Sequence, residues 1–220
     1  MDVYADDKLV AKLTASLIEQ GHKVFQIFML DESLDGHITK LLDFYNPSKG
    51  MKILDVGCGI GEVSRLMKIK RPDLGFILIN KSASQLALCP EEFQKIKTDF
   101  HNMYLYAPQA DAIMINYALG HAKLDELMSE ASRLLKGGGD LYLYDIASLE
   151  NMYIDELDYR AYRLDEVIES ASAAGFYPYR MIKTSKAYTK NFLKVLDEDT
   201  FNRLFKNVFP FMAKFVIHAH

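Results

Sequence analysis

The stretch ILDVGCGIGEVSRLM, residues 53–67, limits what this chain can fold into more than any other segment. An apolar run ends in Asp55, glycines follow at 57, 59 and 61, and the helical spacing of Val63, Leu66 and Met67 begins at once. Glycines there let the backbone turn sharply and approach a ligand without a Cβ between them. The unpartnered N–H groups that open the next helix favour an anionic group nearby. Strand-to-helix turns of this kind also serve nicotinamide and flavin binders. Here, however, the spacing is G-x-G-x-G, and Glu62 stands where a third glycine would complete the dinucleotide fingerprint. Asp55 would repel a pyrophosphate, whereas it suits a cationic ligand.

Around this turn, strands alternate with helices. MKILDV, FILIN at 76–80, KIKT at 95–98, DAIMIN at 111–116 and LYLYDI at 141–146 read as strands. Between the last two, Leu124, Leu127, Ala131, Leu134 and Leu135 recur at helical spacing, with Gly137–Gly139 expected to cap that helix. A helix over 164–174 ends at Gly175, and strand-like residues follow at 176–183 and 212–218. The pattern predicts an α/β fold with a doubly wound, mostly parallel seven-stranded sheet, the first and fourth strands side by side. Ahead of it, Leu9, Val10, Leu13, Leu17 and Ile18 recur helically up to Gly21, a second run covers Val24–Leu30, and a third covers His37–Phe44, closed by Asn46-Pro47. Phe192, Val195, Phe201, Leu204, Phe205 and Val208 predict one or two amphipathic helices before the last strand, which dock on the sheet or cover a site. The expected organisation is a single domain: helical cover 1–50, cofactor-binding core 51–183, helical insertion 184–210 and last strand 211–220.

With these residues in view, the chain resembles the class I S-adenosylmethionine-dependent methyltransferase superfamily over about residues 50–183. LDVGCGIG is similar to the family's first motif, so Asp55, Gly57 and Gly59 would border the methionine part of the cofactor. FILINKSASQL resembles the second-strand motif, with Asn80 at the position where an acidic residue usually binds the ribose hydroxyls. Asparagine keeps an acceptor for a diol but no charge, so an aspartate there is expected to grip the ribose more tightly. KTDFHNM resembles the third-strand motif, in which Asp99 would accept from the adenine amino group and Phe100 would lie near the ring. DAIMINYALGH resembles the fourth strand and its exit loop, and RLLKGGGDLYLYD the family's LKPGG strand, with Gly137 in place of the proline. The cofactor set implied is Asp55, Gly57, Cys58, Gly59, Asn80, Lys81, Asp99, Phe100 and Asn116, and the cofactor S-adenosylmethionine, with S-adenosylhomocysteine as product.

Methyl transfer is an in-line displacement that positioning can accelerate, with a base needed only when the acceptor holds its proton tightly. The resemblance puts the acceptor near the ends of the fourth and fifth strands. His121 is the candidate base, or else a histidine bonded to its own loop. Tyr117 would orient the acceptor or present its ring face to the sulfonium, and Asp145 would bind a polar group of the substrate or cap the next segment. His37 falls in the implied substrate cover. Tyr142 and Tyr144 alternate onto one sheet face with Leu141 and Leu143 on the other, which makes either a packed sheet or an amphipathic pocket wall. His218-Ala219-His220 has no accompanying ligand set, so no metal is expected.

The net charge of −4 argues against a nucleic-acid partner. So does Asn116-Tyr117-Ala118-Leu119, which lacks the two prolines typical of enzymes that methylate exocyclic amino groups of bases. A small-molecule acceptor methylated on O, N or C is therefore the leading reading; the alternatives are a nucleic-acid methyltransferase and a non-catalytic nucleoside-binding module. Cys58 and Cys89 form no disulfide framework and read as small reduced fillers. The opening MDVYADDKLVAKL has no signal-peptide pattern, and no apolar stretch approaches the roughly 20 residues needed to cross a bilayer. A cytoplasmic monomer or homodimer without membrane contact is expected.

Overall fold

ILDV, FILIN and DAIMIN are apolar almost without alternation, as parallel strands covered on both faces must be. In the computed structural model, which describes residues 7–19, 29–155, 158–184 and 198–217, they form the centre of one seven-stranded sheet. The strands are β1 (Lys52–Val56), β2 (Gly75–Asn80), β3 (Gln94–Lys97), β4 (Ala110–Asn116), β5 (Leu135–Ser148), β8 (Phe176–Lys183) and β9 (Val208–Ile217). They lie in the order β3-β2-β1-β4-β5-β9-β8, with β9 antiparallel to both neighbours and the other pairings parallel. The adjacency of β1 and β4 is the one the sequence pattern predicts. A separate hairpin, β6 (Met152–Ile154) and β7 (Tyr159–Ala161), follows β5 and was not legible in the sequence.

The helices are α1 (Asp7–Glu19), α2 (Leu34–Tyr45), α3 (Glu62–Lys70), α4 (Ala83–Leu88), α5 (Met103–Tyr106), α6 (Leu124–Leu134), α7 (Leu164–Ala173) and α8 (Glu198–Phe205). The period of two along each strand splits the core into two layers. Leu54, Val56, Ile113, Leu141 and Leu143 pack with Leu127, Ala131 and Leu134 of α6 and Val167 of α7. Ile53, Met114, Tyr142 and Tyr144 pack with Ile38, Leu41, Phe44 and Tyr45 of α2 and Val63 and Met67 of α3.

Helix α2 starts with Ser33, whose hydroxyl accepts from Gly36 N–H at 3.0 Å. It stops at Asn46, which takes φ 45° and returns its N–H to Leu42 at 2.8 Å. Tyr45 is stacked on Tyr142 with centroids 4.6 Å apart and planes at 12°. The Tyr142 hydroxyl donates to Asp140 at 2.7 Å, and Lys214 reaches both Asp140, at 2.9 Å, and the Tyr45 carbonyl, at 3.2 Å. That network ties α2 to β5 and β9, and burial of Ile38, Leu41 and Phe44 adds about 1.5–3 kcal/mol for each side chain.

Three expectations need correction. Gly137–Gly139 do not cap α6: the helix closes through the Leu135 N–H on the Ala131 carbonyl, and the glycines lie inside β5. Gly138 has φ 78°, and the β4–β5 register shifts between Ala110 and Ala112, so these glycines serve an irregular strand entry. The last strand starts at Val208, three residues before the expected 211, because apolar Val208–Phe211 already pair with β5. The fifth strand runs to Ser148, beyond Ile146, for the same reason. Of the expected insertion, α8 is described; Phe192 and Val195, most of the Val24–Leu30 run, Gly21, and His218 and His220 lie outside the described residues. No helix among the described residues is long and apolar enough to cross a membrane.

The hairpin is held against the loop after β4 with almost no clearance. A Cβ on Gly120 would stand 2.3 Å from the Tyr159 ring and 2.4 Å from the Arg160 carbonyl. Gly120→Ala is therefore expected to cost about 1–3 kcal/mol. Urea unfolding would show this as a lowered midpoint at constant slope, and an unchanged midpoint would mean that the hairpin moves away freely.

Candidate functional site

The connections from β1 and β4 leave toward opposite edges of the sheet, so their carboxyl ends open a crevice, the usual ligand position in doubly wound sheets. The glycine turn occupies it. Gly57 and Cys58 N–H both donate to the Ile79 carbonyl, at 2.9 and 3.2 Å, which pins the turn to β2. Gly57, Gly59 and Gly61 have φ of 72°, 57° and 74°. A Cβ on Gly57 would lie 2.4 Å from that of Ala118, and one on Gly61 2.8 Å from Leu78 Cδ1, so packing demands both glycines. A Cβ on Gly59 would meet nothing within 4 Å. The bare backbone there faces open space.

Alternation along the strands sets Asp55, Asn80, Asn116 and Tyr144 on the same face, the one covered by α2 and α3. Asp55 is 2% exposed and accepts from Ser64 Oγ at 2.6 Å; burial pushes its pKa up to about 7. Asn80 Nδ2 donates to the Gly59 carbonyl at 3.2 Å and to Gln85 Oε1 at 2.9 Å, while Oδ1 accepts from Ser82 N–H at 3.1 Å. The oxygen keeps a second lone pair. Lys81 follows, half-buried. Asp99 is partly exposed and caps a short 3-10 turn, Phe100–Asn102, accepting from His101 N–H at 3.3 Å. The Phe100 ring comes within 3.5 Å of where a Gly57 Cβ would be. The Cys58 and Cys89 thiols are free and approach the same Gly59 carbonyl, at 3.6 and 3.5 Å.

Helix α1 covers this edge. Asp7 accepts from Ser82 Oγ at 2.7 Å and Ser84 Oγ at 3.0 Å, and Thr14 accepts from Gln85 at 3.1 Å. These bonds hold Asp7 below the usual carboxylate range.

At the β4 and β5 ends, Asn116 Oδ1 accepts from the Tyr45 hydroxyl at 2.9 Å. Tyr117 takes φ 57°, donates its N–H to the Tyr144 carbonyl at 3.0 Å, and meets the Tyr144 ring edge-on at 4.7 Å. His37 is fully buried; its ring lies 5.5 Å from that of Tyr144, and burial lowers its pKa to about 3, so it is neutral. Tyr144 was expected from sequence either to pack the sheet or to line a pocket, whereas Tyr45 was not singled out for this site. The signal for Tyr45 was its four-residue spacing from Leu41 and His37, which aligns all three on one face of α2.

His121 and Asp145 are situated differently. Asp145 follows Leu141 and Leu143 onto the opposite sheet face, with no exposed surface. It accepts from the Tyr159 hydroxyl, from Leu119 N–H at 3.0 Å and from Ile146 N–H at 2.7 Å, and burial raises its pKa to about 6. These bonds commit the carboxylate to the loop after β4 and to the hairpin, so a direct bond to substrate does not fit this arrangement. His121 Nδ1 lies 3.0 Å from the Asp158 carbonyl, and its ring stands edge-on to Tyr159 at 5.0 Å. A carbonyl only accepts, so Nδ1 donates to it. Among the described residues no His, Cys, Asp and Glu group could hold a metal ion.

Residues 54–143 match the family model described as "Methyltransferase domain". The chain is 25% identical over 164 residues to demethylmenaquinone methyltransferase of Thermotoga maritima, covering 72% of this chain and 70% of that protein. It is 30% identical over 126 residues to a sterol 24-C-methyltransferase of Neurospora crassa, covering 53% of this chain but only 33% of that longer protein. The fold is similar to that of the cyclase SpnF, with a TM-score of 0.71 at 15% identity over 84% of this chain and 82% of that one.

Asp55 gives the site a pH signature. Its folded pKa of about 7 exceeds the 3.8 of an ordinary aspartate, so the folded state keeps a proton that the unfolded chain has released between those values. Its contribution is fully present below about pH 4 and is lost as pH rises through about 7. Asp55→Asn should flatten this decline in melting temperature, leaving the smaller slope due to Asp145. Parallel profiles for the two proteins would show that Asp55 ionises as freely in the fold as outside it.

Proposed function

From the chain's membership of the class I S-adenosylmethionine-dependent methyltransferase superfamily, we propose that it transfers a methyl group from S-adenosylmethionine to O, N or C of a small molecule. The observation that carries this reading is the open face of Gly59 beside the buried Asp55. The donor set fits the cofactor. Asp55 opposes a cationic amino acid, and the turn leaves room for its chain between Gly57, Cys58 and Gly59. Asn80 offers its remaining lone pair to a ribose hydroxyl, with Lys81 alongside, and Asp99 and Phe100 take the adenine. When bound, the cofactor supplies a methyl group activated on a positively charged sulfur.

The remaining residues act on the acceptor. Asn116 and Tyr117 border it at the end of β4, and the Tyr117 ring offers its electron-rich face to positive charge. His121, oriented by its Nδ1 bond to the Asp158 carbonyl, is the base where the acceptor must lose a proton. Asp145 is a positioning residue: by holding Leu119 and Tyr159 it fixes the loop that carries Tyr117 and His121. Helices α1, α2 and α8 form the cover. A net charge of −4 disfavours a nucleic-acid acceptor.

Calorimetric titration with S-adenosylmethionine, S-adenosylhomocysteine and NAD tests this reading. Micromolar binding of both sulfur compounds and none of NAD is expected. Gly59→Asn should fold normally, because asparagine tolerates the left-handed region and meets no neighbour, yet its side chain should weaken both sulfur ligands about tenfold or more. Failure of the native protein to bind either sulfur compound would reject the assignment.

Asn80→Asp is expected to weaken binding, contrary to the simple charge argument. It would replace two donors with a carboxylate 3.2 Å from the Gly59 carbonyl and loosen the turn, at a cost of about 1–3 kcal/mol in stability. A tighter complex with an unchanged melting temperature would show that the ribose contact outweighs the turn.

A further inference from the structure

Two buried donors at the β4–β5 end have no acceptor. His37 Nδ1 accepts from Leu30 N–H at 2.9 Å, so the ring proton sits on Nε2, and Nε2 is buried without a hydrogen-bond partner. Asn116 turns Oδ1 to Tyr45, and its Nδ2 is likewise buried without a partner. Both flank the same ring: His37 lies against Tyr144, and Tyr144 is the cross-strand neighbour of Asn116. Folded proteins rarely leave such donors unmet, because desolvation is then uncompensated.

Their location says what would meet them. Asn80 and Asp99, assigned to the nucleoside, stand at the ends of β2 and β3 on one side of β1, whereas both donors stand on the other side, at β4 and β5. In the methyl-transfer reading the acceptor side would then be the β4–β5 end, beside both donors. An ammonium there would face the two N–H donors, whereas an oxygen would satisfy both. The rings of Tyr117 and Tyr144, at 71° to each other, form an edge-and-face corner suited to a flat conjugated molecule.

Resting on the methyl-transfer reading, we propose that His37 Nε2–H and Asn116 Nδ2–H bind a carbonyl, enolate or phenolate oxygen of a conjugated methyl acceptor. His37 and Asn116 are then specificity residues that select oxygen-bearing rings over amines. Being neutral, His37 remains a donor across the working pH range.

The test uses protein loaded with S-adenosylhomocysteine and two probes: lawsone, a hydroxynaphthoquinone that is an enolate at neutral pH, and naphthalene, which has the rings without the oxygens. In native protein carrying nitrogen-labelled histidine, lawsone should move the His37 Nε2–H resonance downfield and naphthalene should not. His37→Phe should weaken lawsone about tenfold, the factor one such hydrogen bond commands, and leave naphthalene and S-adenosylhomocysteine affinities unchanged. His37→Gln, which keeps an N–H donor, should recover part of the loss. Weakened S-adenosylhomocysteine binding in His37→Phe would give the donor to the cofactor and overturn the proposal. Equal weakening of both probes, a bound lawsone that leaves Nε2–H unmoved, or no lawsone binding to native protein would overturn it as well. Native protein that fails to bind S-adenosylhomocysteine removes the methyl-transfer reading itself, and this proposal with it, before either probe is added.

Discussion

The site depends on the anchoring of a single turn. Two N–H groups, of Gly57 and Cys58, share the Ile79 carbonyl, and the Gly57 backbone lies against Ala118. The first contact ties the end of β1 to β2, and the second ties it to the loop leaving β4. Strand register does the rest: Asp55 pairs with Leu78 and Met114, so the polar residues two positions further along β2 and β4 emerge on the same face. Asp55, Asn80 and Asn116 thus converge through backbone pairing, although each comes from a different strand. A one-residue slip in either neighbour would turn its polar residue into the opposite layer.

This arrangement buries polar groups that cost free energy unless they have partners. The fold meets that cost in two ways. Asn80 is satisfied from within, by Gly59, Gln85 and Ser82, so it acts as a strut for the turn. Asp55 has Ser64 and otherwise keeps its proton, with the pKa raised to about 7 by burial. A buried acid poised near neutrality ionises readily when a cation arrives, because the new charge favours the carboxylate that burial opposes. The same logic makes Asp145 structural: with three donors already aimed at it, it holds the hairpin and the loop rather than a ligand.

The backbone signals in the sequence were strong where they were local. The apolar runs of β1, β2 and β4, the glycine turn, and α7 closing just before Gly175 all follow from spacing within a dozen residues. The failures involve contacts distant in sequence. Gly137–Gly139 look like a helix cap, yet the chain passes directly from α6 into β5 because β4 offers a ladder at once. The hairpin Met152–Ile154 and Tyr159–Ala161 is too short to show a pattern, and its position rests on Tyr159 reaching Asp145 and on Gly120 being bare. Asn116 and Asp145 both looked like site residues at strand ends; only the alternation of β5 relative to its partners separates their faces. Tyr45 became meaningful once Tyr142 was seen stacked on it.

A fold of this kind does not by itself name a reaction, since a cyclase shares it at a TM-score of 0.71. What distinguishes one chemistry from another is the pattern of donors and acceptors around the reacting end. Two histidines illustrate how the backbone writes that pattern. The Leu30 N–H leaves neutral His37 with its proton on Nε2, whereas the Asp158 carbonyl holds a proton on Nδ1 of His121. His37 can therefore only give a hydrogen bond at its far nitrogen. Neither setting is visible in the residue type, and each is made by a single main-chain group. A loop that bears such a group therefore sets which nitrogen of its histidine holds a proton.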